Sequence, residues 1–459
     1  MVIASEIAHY RLRKNGVAHA TLNPEGPGAV RIFCIPPKYR FLSRQPYVVL
    51  LNGNTVLPLG HTWALLLCAF LKALLRYEGK PMDGAEMDAV VLEAVKAVRR
   101  IYPTVKRSLL TEDMRTILAV FFDIARGEQP QIDIGELSLR AYAPHMTAPH
   151  RMDLLVSAMT DRNGNWQCNQ KCVHCYAAGQ PGAGAAELPT QDWKRVIDRC
   201  RAAGIPQVTF TGGEPTLRPD LAELVSHARW FVTRLNTNGV LLTKALCEDL
   251  MNAGLDSVQV TLYSHDEAIH NKLVGAPNWA KTVAGLENAL AAGLDLSVNT
   301  PLCGQNRDYI ATLAFLHNKG VRYVSCSGLI QTGAAAGGES LAARLGKEEI
   351  TAIVTEAAAF CAGHDMEISF TSPGWIDAEI LSSLGIAVPM CGACLSNMAV
   401  GPDGTVYPCQ SWLSEGLGNI LTDDWRKIWS LPKGRQIRGM AEEEALNCPF
   451  RSACDGGDC

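Results

Sequence analysis

The sequence predicts an α/β protein built around a partial, open, TIM-like (β/α)6 barrel. A separate α+β module precedes the barrel, and a small cysteine-rich domain follows it. Three observations predict this. From about residue 151, short apolar runs of strand type alternate with helical periodicities, and repeated strand–helix units imply a parallel sheet with right-handed crossovers. The first 150 residues lack that alternation, with strands first and helices after. Beyond about residue 385, glycine, proline and cysteine displace the apolar periodicity.

In residues 1–150, Ala18–Leu22, Ala29–Ile35 and Tyr47–Leu51 read as strands. The Asn52-Gly53-Asn54 turn joins the last of them to Val56–Leu59 as a hairpin. Thr62–Arg76, Gly84–Ile101 and Thr111–Gly127 carry helical periodicity, and the proline-bearing stretch Gln129–His150 reads as a linker. Strands followed by three helices is also the general order of a small peptide-recognition module, an analogy of fold alone. In residues 151–345, strands are expected near Asp153–Ala158, Gln207–Thr211, Phe231–Asn236, Ser257–Tyr263, Asp295–Thr300 and Val321–Cys326. Helical patterns lie between them, among them Gln191–Ala203, Leu242–Ala253, Trp279–Ala292 and Asp308–Lys319. Six units are too few for an eight-unit barrel, so an open one is expected. Its chemistry belongs where strands end and helices begin. Residues 346–384 read as a connecting helix, Lys347–Ala362, and a linker, and 385–459 as the cysteine-rich domain.

Of 459 residues, 47% are apolar, enough to bury a core, and the net charge of −4 argues against nucleic acid or an anionic membrane as partner. The most apolar run, Trp63–Leu75, is too short to span a bilayer and contains Lys72. The first residues lack the apolar stretch of a secretory signal, which places the chain in the cytoplasm. In that reducing compartment, sixteen cysteines point to metal or redox chemistry rather than disulfides. Cys34, Cys68, Cys200, Cys247, Cys303, Cys326 and Cys361 are scattered and read as core packing. The others fall in two groups.

The first group reads Cys168-Asn-Gln-Lys-Cys172-Val-His-Cys175-Tyr176 and follows the first barrel strand, where an active-site loop belongs. Four thiolates would saturate a [4Fe–4S] cube, whereas three leave one iron open to a cosubstrate. A zinc site, which usually has a fourth local ligand, and unconnected core thiols are the alternatives. Thr209-Phe-Thr-Gly212-Gly213-Glu214-Pro215 follows the second strand. Two glycines let the backbone approach a ligand closely, and the carboxylate can accept a hydrogen bond from a ligand ammonium. Standing alone, that motif would equally be a tight strand-to-helix turn.

Taken in this order, the two motifs resemble the radical S-adenosylmethionine (SAM) superfamily over roughly residues 152–330. The resemblance implies that Cys168, Cys172 and Cys175 are catalytic and hold a [4Fe–4S] cluster. His174 is the polar aromatic residue before the third cysteine, and Tyr176 beside it is grouped with the cofactor-binding residues. Gly212, Gly213, Glu214 and Pro215 match the methionine-binding motif, and Asn236, Thr237 and Asn238 the turn near SAM. Thr261, Ser264 and Asn299 stand at strand ends where the family places contacts to the SAM ribose or carboxylate. In that family SAM chelates the open iron, and cluster reduction cleaves it into methionine and a 5′-deoxyadenosyl radical.

The second group comprises Cys391-Gly-Ala-Cys394, Cys409, Cys448, Cys454 and Cys459. The spacing of Cys391 and Cys394 also suits zinc. The arrangement resembles the SPASM extension of peptide-modifying radical SAM enzymes, which carries auxiliary iron–sulfur clusters. Leu417-Gly-Asn-Ile420, Trp425 and Ile428-Trp429 add to the likeness. The family pattern has a further cysteine near position 445, where this chain has Ala445, and one four residues past Cys454, where Cys459 stands five along. The resemblance implies that Cys391, Cys394, Cys409 and Cys459 would complete one auxiliary [4Fe–4S] cluster. Cys448 and Cys454 are half of a second, which stays open.

The function implied is radical modification of a ribosomally made precursor peptide by crosslinking, epimerisation or rearrangement, in an oxygen-sensitive enzyme. Its partners would be the peptide, a reductant such as flavodoxin or ferredoxin, and a separate peptide-recognition protein. The rival readings are a radical SAM enzyme for a small molecule, such as a porphyrin side chain or an aminosugar, and a non-catalytic iron–sulfur scaffold. The intact motifs argue against the scaffold. Tyr263, His265, Asp266 and His270 lie near a strand end and read as solvated loop residues, with substrate contact or proton transfer as the alternative.

Overall fold

The computed structural model describes residues 2–23, 29–38, 45–53, 55–77, 80–130, 132, 142–338 and 343–442. The chain divides into two compact units, Met1–Ala148 with Arg201–Pro206, and Pro149–Cys200 with Gln207–Cys459.

In the first unit, β1 (Ala18–Leu22), β2 (Val30–Ile35), β3 (Tyr47–Leu51) and β4 (Thr55–Leu59) form an antiparallel sheet in chain order. The β3–β4 hairpin closes with Leu51 opposite Thr55. Asn52 and Gly53 turn the chain at φ of 48° and 80°, the left-handed dihedrals that these two residue types tolerate best. Helices His61–Leu74, Gly84–Arg99 and Arg107–Ala125 follow. Asp83 starts the middle one with a capping box, accepting from the Glu86 amide. Phe70 and Leu74, Val91 and Val95, and Met114 and Phe121 from these helices share one core with Ile32 and Val49 of the sheet. A helix at Val2–Asn15 is additional to the sequence reading. Its apolar Ile3, Ile7 and Tyr10 are exposed while polar His9 is buried, so periodicity carries no signal for it. Part of the expected linker, residues 133–141, lies outside the described residues.

The second unit is an open nine-stranded sheet of order β11-β10-β9-β8-β7-β6-β5-β12-β13. The six expected barrel strands are β5 (Arg151–Ser157), β6 (Gln207–Gly212), β7 (Val232–Thr237), β8 (Ser257–Thr261), β9 (Asp295–Pro301) and β10 (Tyr323–Ser327). Each is parallel to the next, in chain order. Two additions extend it. Helix Lys347–Gly363 leads into β11 (Glu367–Phe370), parallel to β10, so the stretch read as connector supplies a seventh strand–helix unit. The four-residue β11, Glu-Ile-Ser-Phe, is too short to stand out by its own pattern. At the other edge β12 (Asn397–Val400) pairs in parallel with β5, and β13 (Val406–Tyr407) forms a hairpin with it.

The sheet's two faces differ in chemistry. Met152, Leu154, Val208, Phe210, Leu235 and Val298 are apolar and buried, the face that crossover helices cover in parallel sheets. The alternate positions, such as Asp153, Thr209, Arg234, Asn236, Gln259 and Asn299, are polar. Among the described residues no helix is long and apolar enough to cross a membrane.

Four buried histidines give the fold an acid liability. Burial lowers His9, His150 and His270 to about 4 and His19 to about 3. Each stays neutral in the folded chain while the unfolded chain takes up a proton near 6.5. Their contribution to stability is therefore complete above about pH 6.5 and is lost as pH falls from there towards 4. Thermal unfolding of the metal-free chain, followed by circular dichroism, should show a Tm at pH 5 at least about 3 °C below that at pH 7. Equal values would contradict neutral burial of these rings.

Candidate functional site

The cysteine loop leaves the end of β5 and is fastened at several points before helix Thr190–Ala203 begins. Asp161 closes its first turn by accepting from the Asn163 and Asn165 amides at 2.8 and 2.9 Å. The Lys171 and Val173 amides donate to the carbonyls of Val274 and Leu273, both at 2.9 Å, and the Ala334 amide donates to the Cys175 carbonyl at 2.9 Å. Cys168, Cys172 and Cys175 are thereby brought together. Burial raises all three thiols, Cys168 to about 12, and the Cys172 thiol also feels charge on Cys175 and Cys168. Such a cluster of thiols ionises when a metal replaces its protons.

The second motif meets the first across 45 residues of sequence, where the Cys168 thiol donates to the Gly213 carbonyl at 3.3 Å. Both glycines are required by close backbone approach. A Cβ at Gly212, where φ is +130°, would lie 2.2 Å from the Ser157 oxygen, and one at Gly213 would lie 2.7 Å from the Ala158 oxygen. Glu214 is 1% exposed. Its Oε1 accepts from the Thr216 amide at 3.0 Å, the Thr216 hydroxyl and the Thr237 hydroxyl, and its Oε2 from the Asn238 amide at 2.8 Å. Burial raises its carboxyl, and these donors oppose that rise. Three of the four donors share Oε1 and one reaches Oε2, which leaves Oε2 with a lone-pair site unused. Beside the ligand ammonium that the sequence reading expects here, the carboxylate has protein partners that tie the end of β6 to the end of β7.

Asn238 extends the tie, donating from Nδ2 to Asn169 Oδ1 inside the cysteine loop at 2.6 Å. Thr261 stands opposite Asn299 in the β8–β9 register, and Asn299 accepts from the Ser325 hydroxyl at 2.9 Å. Ser264 is buried and accepts from the Asp266 amide. His174 lies 6.3 Å from the Tyr263 ring, centroid to centroid. Tyr263 and His270 are buried, with the Tyr263 amide donating to His270 Nδ1 at 3.3 Å, and Asp266 caps helix Glu267–Val274. The solvated-loop reading is therefore corrected for Tyr263 and His270, while Asp266 is exposed at the N-terminal end of that helix and the cysteine loop docks on its C-terminal end, at Leu273 and Val274.

In the C-terminal group, Cys391, Cys394 and Cys409 also converge. Burial raises Cys394 and Cys409 to about 12, and each of them feels charge on Cys391. Cys394 has φ of 57°, uncommon for a residue with a Cβ. Its amide donates to the Pro408 carbonyl at 3.0 Å, and its carbonyl accepts from Arg438 Nε at 2.8 Å. Cys448, Cys454 and Cys459 lie outside the described residues. The two cysteine loops are joined by Gln180, which sequence reading missed because a lone glutamine carries no motif. Its Nε2 donates to the carbonyls of Tyr176 and Ser411 at 2.6 and 2.8 Å, and its Oε1 accepts from the Leu413 amide at 2.8 Å. The buried Tyr176 phenol feels charge from Cys175 on one side and Cys409 on the other.

Comparison with known proteins agrees with this geometry. The radical SAM superfamily matches residues 167–317, and the SPASM iron–sulfur cluster-binding domain matches 391–455. The chain is a radical SAM superfamily enzyme with a SPASM domain. It is 27% identical over 312 residues to the AdoMet-dependent heme synthase of Methanosarcina barkeri, covering 63% of this chain and 87% of that one. It is 29% identical over 298 residues to the PqqA peptide cyclase of Ruegeria pomeroyi, covering 62% and 76%. Streptococcus suis SuiB bound to precursor peptide SuiA shares the fold with a TM-score of 0.58 at 14% identity, over 92% of this chain and 89% of that one.

The radical SAM domain implies a [4Fe–4S] cluster and SAM, and the SPASM domain implies auxiliary iron–sulfur ligation. The donor chemistry fits. Each site gathers three thiols, of which Cys394 is buried and the others are half-buried, and thiolates are the ligands of iron–sulfur clusters.

Two substitutions test the scaffold. Glu214→Gln turns an amide donor toward existing donors, at about 1–3 kcal/mol. Thermal unfolding and calorimetric SAM titration should show stability and SAM affinity falling together. A fall in affinity alone would instead indicate direct contact with the SAM ammonium. Gln180→Ala removes three hydrogen bonds, two of them between the cysteine loops, and should lower stability by roughly 2–3 kcal/mol in urea unfolding. Less iron should then survive gel filtration at the C-terminal site. Unchanged values in both assays would show that the loops hold without it.

Proposed function

We propose that this enzyme modifies a ribosomally made peptide. The observation that carries the reading is the first unit. Met1–Ala148 folds around its own core and lies outside both family matches, yet the likeness to SuiB, a protein seen with its precursor peptide, extends over 92% of the chain. A separate unit of that size suits recognition of a bulky chain better than of a small metabolite. The relationship to PqqA peptide cyclase supports the same substrate class.

In this reading Cys168, Cys172 and Cys175 hold the radical cluster and leave its fourth iron to SAM. When bound, the reduced cluster and SAM supply a 5′-deoxyadenosyl radical that removes a hydrogen atom from a substrate C–H bond. The chain's own residues bind and orient. The Gly212–Gly213 backbone admits the methionine end of SAM, while Glu214 keeps the β6 and β7 ends in place beneath it. Asn236, Thr261 and Asn299 offer polar groups to its remainder, and His174 and Tyr176 flank the third thiolate. Cys391, Cys394 and Cys409 hold one auxiliary cluster, with a fourth thiolate from the Cys448, Cys454 and Cys459 group. Residues 1–150 serve as the peptide-recognition module, and a small electron-transfer protein supplies the reductant.

A second reading has its own observation. The heme synthase relative aligns over 87% of its length, which favours a tetrapyrrole substrate. Anaerobically reconstituted protein with dithionite and SAM should release 5′-deoxyadenosine and methionine. Replacing Cys168, Cys172 and Cys175 together by alanine should abolish release while iron persists at the C-terminal site. Incubation with a short peptide encoded beside the gene should change that peptide's mass. Turnover of a tetrapyrrole and of no peptide would overturn the peptide reading and leave the radical chemistry standing.

A further inference from the structure

A positive charge is fixed beside the C-terminal cysteine loop. Arg438 lies on helix Pro432–Glu442, which packs against helix Trp425–Ser430. Its guanidinium is held in three ways. Nε donates to the Cys394 carbonyl at 2.8 Å, and a terminal nitrogen donates to the Trp429 carbonyl at 3.1 Å. The central carbon of the guanidinium lies 3.6 Å from the centre of the Trp429 ring. Trp429 stacks in turn on Trp425, with ring centroids 6.1 Å apart. Stacking of this kind uses the flat, weakly hydrated face of a guanidinium, which an ammonium lacks.

A backbone carbonyl needs only a neutral donor, yet here it receives a full charge. That charge is felt at the thiol of the same residue. At Cys394 burial opposes ionisation, the Arg438 charge favours it, and charge on Cys409 and Cys391 opposes it. Arg438 therefore offsets part of the negative charge that the three thiolates bring together. Reduction of a cluster held by those thiolates adds one more negative charge in a place of low dielectric. A neighbouring cation stabilises the reduced form more than the oxidised form, which raises the reduction potential.

We propose that Arg438 sets the reduction potential of the auxiliary cluster, holding it above the value that the thiolates alone would give. Arg438 acts through Cys394 as a positioning residue. The effect makes the cluster a better one-electron acceptor and a weaker donor. The proposal rests on Cys394 being a cluster ligand, as in the proposed function, and is independent of which substrate is modified.

The test is an anaerobic redox titration followed by electron paramagnetic resonance. It uses the full chain with Cys168, Cys172 and Cys175 replaced by alanine, so that only the C-terminal cluster reports. Arg438→Gln keeps a neutral donor for the Cys394 carbonyl and removes the charge. Its cluster should be at least about tenfold harder to reduce, a midpoint about 59 mV lower for one electron. Arg438→Lys keeps the charge without the planar stack, and its midpoint should stay nearer the unmodified value. An unmoved midpoint in Arg438→Gln with iron retained would overturn the proposal. Should the glutamine variant shed its iron, the lysine variant decides, and a tenfold loss of reducibility there would equally overturn it. Cys394→Ala separates the two possible failures. Iron retained in that variant overturns the ligand assignment beneath the proposal. Iron lost there, with an unmoved Arg438→Gln midpoint, overturns the role of Arg438 alone.

Discussion

The Glu214 carboxylate accepts four hydrogen bonds in a place that water does not reach. Most of the cofactor end of the barrel depends on that arrangement. It joins the turn after β6 to the turn after β7, and Asn238 then joins the β7 turn to the cysteine loop. A buried carboxylate without such donors would carry a desolvation penalty of several kcal/mol. With them, it is a rigid node. The glycines beside it are forced by the same constraint, since the backbone they free lies against Ser157 and Ala158.

The sheet follows a second rule. Parallel sheets usually bury apolar side chains on both faces. Here one face obeys, with Phe210, Leu235 and Val298 buried, while the other carries Thr, Asn, Gln, Arg and Asp. Strand alternation permits this because neighbouring side chains point to opposite faces. Helices need only one face for stability, which leaves the other available for ligand chemistry.

The two cysteine loops are coupled through ordinary amide chemistry. Gln180 reaches both, and the β12 strand that carries the chain away from Cys394 adds to the sheet beside β5, the strand that leads into the first loop. The auxiliary domain is thus continuous with the barrel through backbone hydrogen bonds. Cys394 is held in a left-handed backbone conformation from both sides, by Pro408 and by Arg438, so its thiol direction follows from neighbours rather than from its own preference.

Sequence alone determined the parts whose signal is local. Strand–helix alternation gave the order β5 to β10, the C-x3-C-x2-C and Gly-Gly-Glu-Pro spacings gave the radical SAM chemistry, and the second cysteine group gave the SPASM likeness. Tertiary structure decided what depends on distant partners. Helix Val2–Asn15 has exposed apolar residues and a buried histidine, so no periodicity announces it. Strand β11 is four residues long and becomes a strand by pairing with β10. The partners of Glu214 within the fold, Thr237 and Asn238, lie 23 and 24 residues away, and sequence does not show that pairing. Tyr263 and His270 read as solvated and are buried, because His270 sits on the inward side of helix Glu267–Val274 and accepts from the Tyr263 amide. Gln180 belongs to no motif, and its importance comes from a hydrogen bond made across 231 residues, which cannot be seen before the chain is folded.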